Sequence, residues 1–204
     1  MTEINEETRI VGILDYGGGN IGSVSNALKF LGYKSLLVRS EEELEATSKV
    51  IFPGVGNFGS AMRVLEEQGL LSSLRKEIIG GKPFLGICLG YQALFERSEE
   101  SPGVEGLGIF KGNVVKFRKG KIPQIGWNEV SVPSSGSLLE AGYYYFVNSY
   151  YPVPNDERIK VGYTDYEDTR FCSAIQYDNI WGVQFHPEKS GELGLRFLRR
   201  WLQC

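Results

Sequence analysis

Residues 84–92 read FLGICLGYQ, an apolar run that ends on a cysteine set between two glycines. Gly86, Cys88 and Gly90 stand at the spacing of the G-x-S-x-G elbow, with cysteine in place of serine. Such an elbow turns a strand into a helix so sharply that a side chain on either flank would strike neighbouring backbone, which is why the flanks are glycine. A strand ending at Ile87 and a helix starting at Leu89 would present the thiol at the carboxyl end of the strand. Strand-helix units of this kind, repeated, build a parallel sheet covered by helices, so these residues decide what the remainder of the chain must be.

Upstream, the same unit recurs. Residues 9–14 form an apolar, β-branched run closed by DYGGGN (15–20), after which Ile21, Val24, Ala27, Leu28 and Leu31 repeat at helical spacing until Gly32. Residues 35–39 read as the second strand, and SEEE (40–43) is a capping-box start to a short helix. A third strand at 50–52 runs into PGVGNFG (53–59). Ala61, Val64 and Leu65, then Leu70, Leu71, Leu74 and Ile78, mark two helical segments, and 83–87 is the fourth strand. Downstream the character changes: NVVKF, NEVSV, YYYFV, IKVGYT, CSAIQY and IWGVQF are short β-type runs separated by turn residues, and GELGLRFLRRWLQ closes the chain as an amphipathic helix. The expected fold is α/β: a flavodoxin-like, open, mixed but mostly parallel sheet, helices on both faces, and later antiparallel strands that extend the sheet.

Composition bounds the function. A chain of 204 residues, 42% hydrophobic, is long enough for one sizeable core, and 1–204 reads as a single domain. A net charge of -3 carries no basic stripe for a phosphate backbone, so nucleic acid is not an expected partner. The opening MTEINEETRI is polar and acidic where a secretory signal needs a basic region and an apolar core, and no apolar run approaches ~18 residues. No membrane association is expected, and the expected location is the cytoplasm. Cys88, Cys172 and Cys204 make an odd count without framework spacing and read as free thiols. With one histidine and no CxxC or HExxH, no metal site is expected.

Three stretches carry chemistry. Gly17, Gly19 and Gly22 satisfy the dinucleotide fingerprint G-x-G-x-x-G after a strand, but Arg39 stands where the ribose-binding acid belongs, so a plain glycine-rich turn competes with a cofactor loop. Cys88 reads either as a nucleophile, its thiolate favoured by the N-terminus of a helix LGYQALFE, or as a small buried thiol beside Leu85, Ile87 and Leu89. A cysteine nucleophile wants a base. His186, the sole imidazole, follows an apolar run in VQFHPEKS, and Pro187 biases it toward presentation from a loop. Glu188, two residues on, is placed to orient the ring, completing a Cys88, His186, Glu188 set. The third stretch is PGVG (53–56): in a parallel sheet its loop opens on the same edge, and an N–H of Val55 or Gly56 with that of Leu89 would make a two-donor oxyanion hole. An ordinary βα loop is the competing reading.

PGVG, GICLGYQ and HPE, in this order and spacing, resemble the class I, triad-type glutamine amidotransferases over essentially the whole chain. More narrowly, ILDYGGGN, PGVGNFG, GICLGYQ, SEES, IGWNEV, YYYFVNSY and VQFHPEKSG resemble the glutaminase subunits of imidazole glycerol phosphate synthase in histidine biosynthesis. The resemblance implies that Cys88 attacks the side-chain amide of glutamine, that His186 passes the proton to leaving ammonia, that Glu188 orients His186, and that water then cleaves the thioester. It implies no cofactor. Gly54, Gly56, Leu89, Gln92, Glu100, Asn148, Ser149 and Tyr150 match or flank the positions that hold glutamine in that family. It also implies a (βα)8-barrel cyclase as heterodimer partner, which receives the ammonia and makes imidazole glycerol phosphate and AICAR. Asn20, Trp127, Asn128, Tyr145 and Lys189 match the family's partner face, and DYGGGN becomes a structural and interface turn.

Two departures stand out. The family usually reads PHMGWN and YFVHSY where this chain has PQIGWN, with Gln124, and YFVNSY, with Asn148. Both remove imidazoles near the expected glutamine site without touching the triad. The alternatives are a sister glutaminase such as that of pyridoxal phosphate synthase, a dinucleotide-binding oxidoreductase, and a non-enzymatic interaction protein.

Overall fold

A computed structural model of the chain describes residues 10–133 and 138–204. The acidic N-terminal stretch, including Arg9 of the first expected strand, lies outside the described residues. Four strands of the first half, β1 (Ile10–Leu14), β2 (Lys34–Val38), β3 (Lys49–Phe52) and β4 (Phe84–Ile87), alternate with α1 (Ile21–Phe30), α2 (Glu41–Glu45), α3 (Phe58–Glu67) and α4 (Leu70–Ile79). Local chemistry sets the helix starts. The Ser40 side chain accepts from Glu43 N–H at the head of α2, while the Glu43 carboxylate reaches back to Arg39 N–H. Asn57 accepts from Ser60 N–H at the head of α3, and Glu100 and Ser101 take the N–H groups of Phe58 and Gly59.

After Cys88 comes α5 (Leu89–Gln92), only four residues long. The longer expected helix is cut short because residues 107–110 donate to the carbonyls of Ala93, Leu94 and Phe95, acceptors that a continuing helix would use for itself. The remaining elements are β5 (Arg97–Ser98), β6 (Gly112–Lys116), β7 (Gln124–Val130), β8 (Gly142–Asn148), β9 (Tyr150–Pro154), β10 (Lys160–Tyr166), β11 (Thr169–Tyr177), β12 (Ile180–Val183) and α6 (Gly191–Gln203).

The central sheet has the order β10-β11-β12-β4-β3-β1-β2. From β2 to β12 all pairs are parallel, the flavodoxin-like order, and β11 and β10 extend that edge antiparallel. Side chains alternate across it: Val50, Phe52 and Phe84 enter the core under α2, α3 and α4, and Ile51, Leu85 and Ile87 enter the one under α1 and α6. Phe197, Leu198, Trp201 and Leu202 form the buried stripe of α6.

The expectation that all later strands extend this sheet holds only for β10–β12. β7 and β8 pair as a separate antiparallel hairpin, and β5, β6 and β9 form a third sheet. Their burial explains it. β3, β4 and β12 are buried at every residue, as central strands must be, whereas β7 and β8 alternate between buried and solvent-facing positions and so fit a layer laid over the core. Among the described residues no helix is long and apolar enough to cross a membrane.

Candidate active site

The elbow sits at the carboxyl end of β4. Cys88 has φ 49° and ψ -96°, a conformation that costs a non-glycine residue energy and is held by the packing around it. A Cβ on Gly86 would strike the Gly90 backbone, and one on Gly90 would strike the Phe52 carbonyl, so both glycines are dictated by the turn. Gly54 is as tightly placed: a Cβ there would collide with Ile87 O and Leu89 N, so the PGVG loop after β3 lies directly against the elbow. Gly54→Ala is therefore expected to cost at least roughly 1–3 kcal/mol of stability, the usual scale of overpacking, and thermal unfolding of the variant measures it.

His186 follows β12 on the same edge, fully buried. Its backbone is fixed to β8: His186 N–H donates to Tyr145 O at 2.8 Å, Tyr145 N–H donates to Ser190 Oγ at 2.9 Å, and Ser190 Oγ donates to His186 O at 2.6 Å. Its Nδ1 is 2.8 Å from Glu188 Oε1, and the Glu188 side chain is itself fully buried. A carboxylate only accepts, so the proton on this bond belongs to Nδ1 and the base-competent nitrogen is Nε2. Nε2 is buried and is left open toward the Cys88 sulfur, with no other partner among the described residues. Burial works against a charged imidazole here, but the Cys88 sulfur first and the Glu188 carboxylate second outweigh it, and His186 is pushed up to about 10.

Asn20, expected on a partner face, donates from Nδ2 to Glu188 Oε1 at 3.0 Å. The loop that carries it is stapled rather than open. Gly17 N–H donates to Asp15 Oδ1, Gly19 N–H donates to Val55 O, and Asp15 pairs with Arg39. With the Gly17 and Gly19 N–H groups spent inside the chain, two of the donors that a dinucleotide fingerprint would turn to a phosphate are taken, which favours the plain glycine-rich turn. Tyr16 OH lies 3.0 Å from both Pro53 O and Val55 O. Because N–H and C=O of a trans peptide point opposite ways, the Val55–Gly56 unit is fixed with Gly56 N–H directed away from that loop.

Beside the sulfur is a cavity of ≈ 180 Å³ lined by Val55, Gly56, Cys88, Leu89, Gln92, Glu100, Pro123, Val147, Asn148, Ser149 and Tyr150. Seven of the eight expected glutamine contacts line it; Gly54 lies just behind, against the elbow. The volume suits a molecule the size of an amino acid. A larger cavity of ≈ 510 Å³ around Arg75, Glu96, Arg97 and Glu105 holds both signs of charge and no nucleophile, so the smaller one is the candidate site. Gln124 and Asn148 face one another across the β7–β8 hairpin, both buried. Asn148 donates to Tyr150 O, while neither amide atom of Gln124 has a partner among the described residues. Three or more His, Cys, Asp or Glu side chains do not gather as a metal site among the described residues.

The outer face of the hairpin exposes Ile125 (60%), Trp127 (56%) and Tyr143 (60%), with Trp127 edge-on to Tyr145. Lys189 is exposed just after the Glu188 turn. Asn128, expected on that face, turns the other way and donates to Asp165 O on β10. Pro123, Val147 and Gln184 stand at the site without a place in the sequence reading. Gln184, fully buried, donates from Nε2 to Cys88 Sγ at 3.3 Å. Its signal was present, since it stands two residues before His186 on an extended segment, where alternate side chains share a side.

The family model for glutamine amidotransferase class-I matches residues 12–203. The protein named imidazole glycerol phosphate synthase subunit HisH of Pyrococcus furiosus is 48% identical over 193 residues, 93% of this chain and 96% of that protein. Its namesake from Methanothermobacter thermautotrophicus is 46% identical over 198 residues, 95% and 98% of the two chains. Among solved structures, one titled glutamine amidotransferase superposes with a TM-score of 0.75 at 23% identity over 95% of this chain and 97% of the other, and PurLQS from Thermotoga maritima with 0.76 at 20% over 96% and 98%. The structural likenesses speak for the fold alone. With the family model spanning all but the two ends, and relatives this similar over nearly their full length, the chain belongs to the class-I glutamine amidotransferases, on the branch of the HisH subunits of imidazole glycerol phosphate synthase.

Proposed function

We propose that the chain is a glutaminase that supplies ammonia to the cyclase subunit of an imidazole glycerol phosphate synthase. The observation that carries this reading is the strained Cys88 elbow beside the buried His186–Glu188 pair, opening on a cavity of amino-acid size. Cys88 gives its proton to His186 Nε2 and its sulfur attacks the amide carbon of glutamine. The oxyanion that forms accepts from Leu89 N–H and from Val55 or Gly56 N–H. His186 returns the proton to the departing nitrogen, ammonia leaves, and a glutamyl thioester remains. Water, deprotonated by His186, then cleaves the thioester, releasing glutamate and restoring the thiol. Glu188 holds His186 in the Nδ1–H tautomer throughout, and Asn20 holds Glu188.

Ammonia in neutral water is largely protonated and no longer nucleophilic, so a useful source docks onto its consumer. The exposed aromatic and aliphatic face of β7 and β8, with Trp127, Tyr145 and Lys189, is the surface offered to the (βα)8-barrel cyclase. A patch of this character on a small protein fits a protein interface. It lies one strand from the chemistry: Val147 O accepts from Cys88 Sγ at 3.7 Å, and Tyr145 O holds His186.

The Gly54-Val55-Gly56 run gives this docking something to act on. The Val55–Gly56 unit is held through Val55 O by Gly19 N–H and Tyr16 OH, so the unit left to turn is the Gly54–Val55 peptide, which rotates beside glycine at little steric cost; the loop then presents one oxyanion donor at rest and two when the cyclase biases Val55 N–H inward. Loss of one such donor is worth roughly 10² to 10³ in turnover, and this sets the expected activation. Glutamate release is to be measured for the chain alone, with the cyclase, and with the cyclase and its nucleotide ligand. Equal rates in all three would rule the coupling out.

A further inference from the structure

We propose that Gln184 is a further catalytic residue, whose side-chain amide holds the Cys88 sulfur by a hydrogen bond and stabilises it as an anion. The proposal deepens the reading of Cys88 as nucleophile and rests on it. Gln184 Nε2 lies 3.3 Å from Cys88 Sγ, and the residue is fully buried. Which end of the amide faces the sulfur is fixed by a chain of acceptors. Tyr150 O can only accept, so the Gln92 atom 3.0 Å from it is the donor Nε2. The same Nε2 lies 3.2 Å from Gln184 Oε1, so the carbonyl end of Gln184 points at Gln92 and its NH₂ end at the sulfur.

The two contacts to the sulfur differ in kind. Val147 O, at 3.7 Å, receives the thiol proton, a contact that exists only while sulfur keeps that proton. Gln184 donates, so its bond persists when His186 takes the proton and becomes charge-assisted on the anion. A weak neutral contact in the resting enzyme thus strengthens as the nucleophile forms, which is what an interaction must do to accelerate the step. The titratable groups that act with this sulfur are His186, which takes its proton, Tyr16, whose OH is turned to Pro53 O and Val55 O, and, through the imidazole, Glu188.

The test is Gln184→Met, which keeps length and removes the amide, and Gln184→Glu, which keeps shape and replaces the donor with an acceptor. Cys88 alkylation by iodoacetamide is followed against pH on the full chain by peptide-resolved mass spectrometry. Slow alkylation of buried Cys172 in the same digest reports that the fold persists, and whichever variant retains it decides. Hydrogen bonds to charged groups set the expected scale, a roughly 10- to 100-fold slower alkylation of Cys88 near neutral pH with the pH curve moved upward. In complex with the cyclase, kcat for glutamate release should fall by a similar factor with KM within about threefold. Unchanged alkylation curves, or a rise in KM with kcat intact, would overturn the proposal, the latter meaning that Gln184 serves only the Gln92 side of the pocket. Failure of the nucleophile reading looks different: there, Cys88→Ala itself would retain turnover.

Discussion

Cys88→Ala is expected to abolish glutamate release while leaving the fold intact. The substitution removes one sulfur from a side chain that is 6% exposed and makes two weak polar contacts, so little stability depends on it. The reaction, by contrast, has no other route. Hydrolases that lose their nucleophile lose turnover on the order of 10⁶-fold, and neither remaining cysteine is placed to stand in. Cys172 is buried, with Tyr91 OH 3.5 Å from its sulfur, and burial pushes its thiol up to about 11. Cys204 ends the chain, and its carbonyl accepts from Lys49 at the start of β3, the edge opposite the loop that faces the elbow. Cys172→Ala and Cys204→Ala should therefore turn over like the parent. Glutamate release with the cyclase present, alongside thermal unfolding, checks all three variants, and near wild-type turnover by Cys88→Ala would remove the nucleophile assignment.

Much of this site was legible because its geometry is enforced locally. Glycines at 86 and 90 are the only residues that fit the turn, so they mark the elbow in the bare sequence, and Pro187 marks the loop that presents His186. Parallel α/β topology then brings PGVG, the elbow and the histidine loop to one edge without any further information. What stayed hidden depends on contacts between distant segments. The early end of α5 is imposed by residues 107–110, far along the chain, and no propensity within LGYQALFE announces it. The strands at 124–130 and 142–148 are visible as strands, but their departure from the central sheet follows from having one wet face, which emerges only when both are paired. Asn20 and Asn128 belong to motifs that resemble a partner face, yet both spend their amides inside the chain, on Glu188 and Asp165. A motif fixes which residues recur together. It does not fix which way each side chain turns.

His186→Ala is expected to lower turnover by roughly 10² to 10⁴-fold, the usual worth of a positioned acid-base group, and Glu188→Gln by less. The asymmetry follows from position. Only His186 Nε2 is free to exchange the proton with sulfur and nitrogen, and the alanine variant has no other imidazole to recruit. Glu188 acts one bond away: its Oε1 takes Nδ1–H at 2.8 Å, and Asn20 holds that oxygen at 3.0 Å. Glutamine at 188 can still accept from Nδ1 through its carbonyl, preserving the tautomer, but the negative charge is gone. That charge is one of the influences that raise His186, after the Cys88 sulfur and against burial, so its removal moves the imidazole downward from about 10. A less basic His186 takes the thiol proton less readily, and the variant should lose kcat while KM changes little. Asn20→Ala, which leaves the charge and loosens its aim, should cost less again. The order His186→Ala, Glu188→Gln, Asn20→Ala in kcat, measured with the cyclase and its ligand at one pH, expresses these roles directly. A Glu188→Gln loss larger than that of His186→Ala would mean that the carboxylate, not the imidazole, carries the proton.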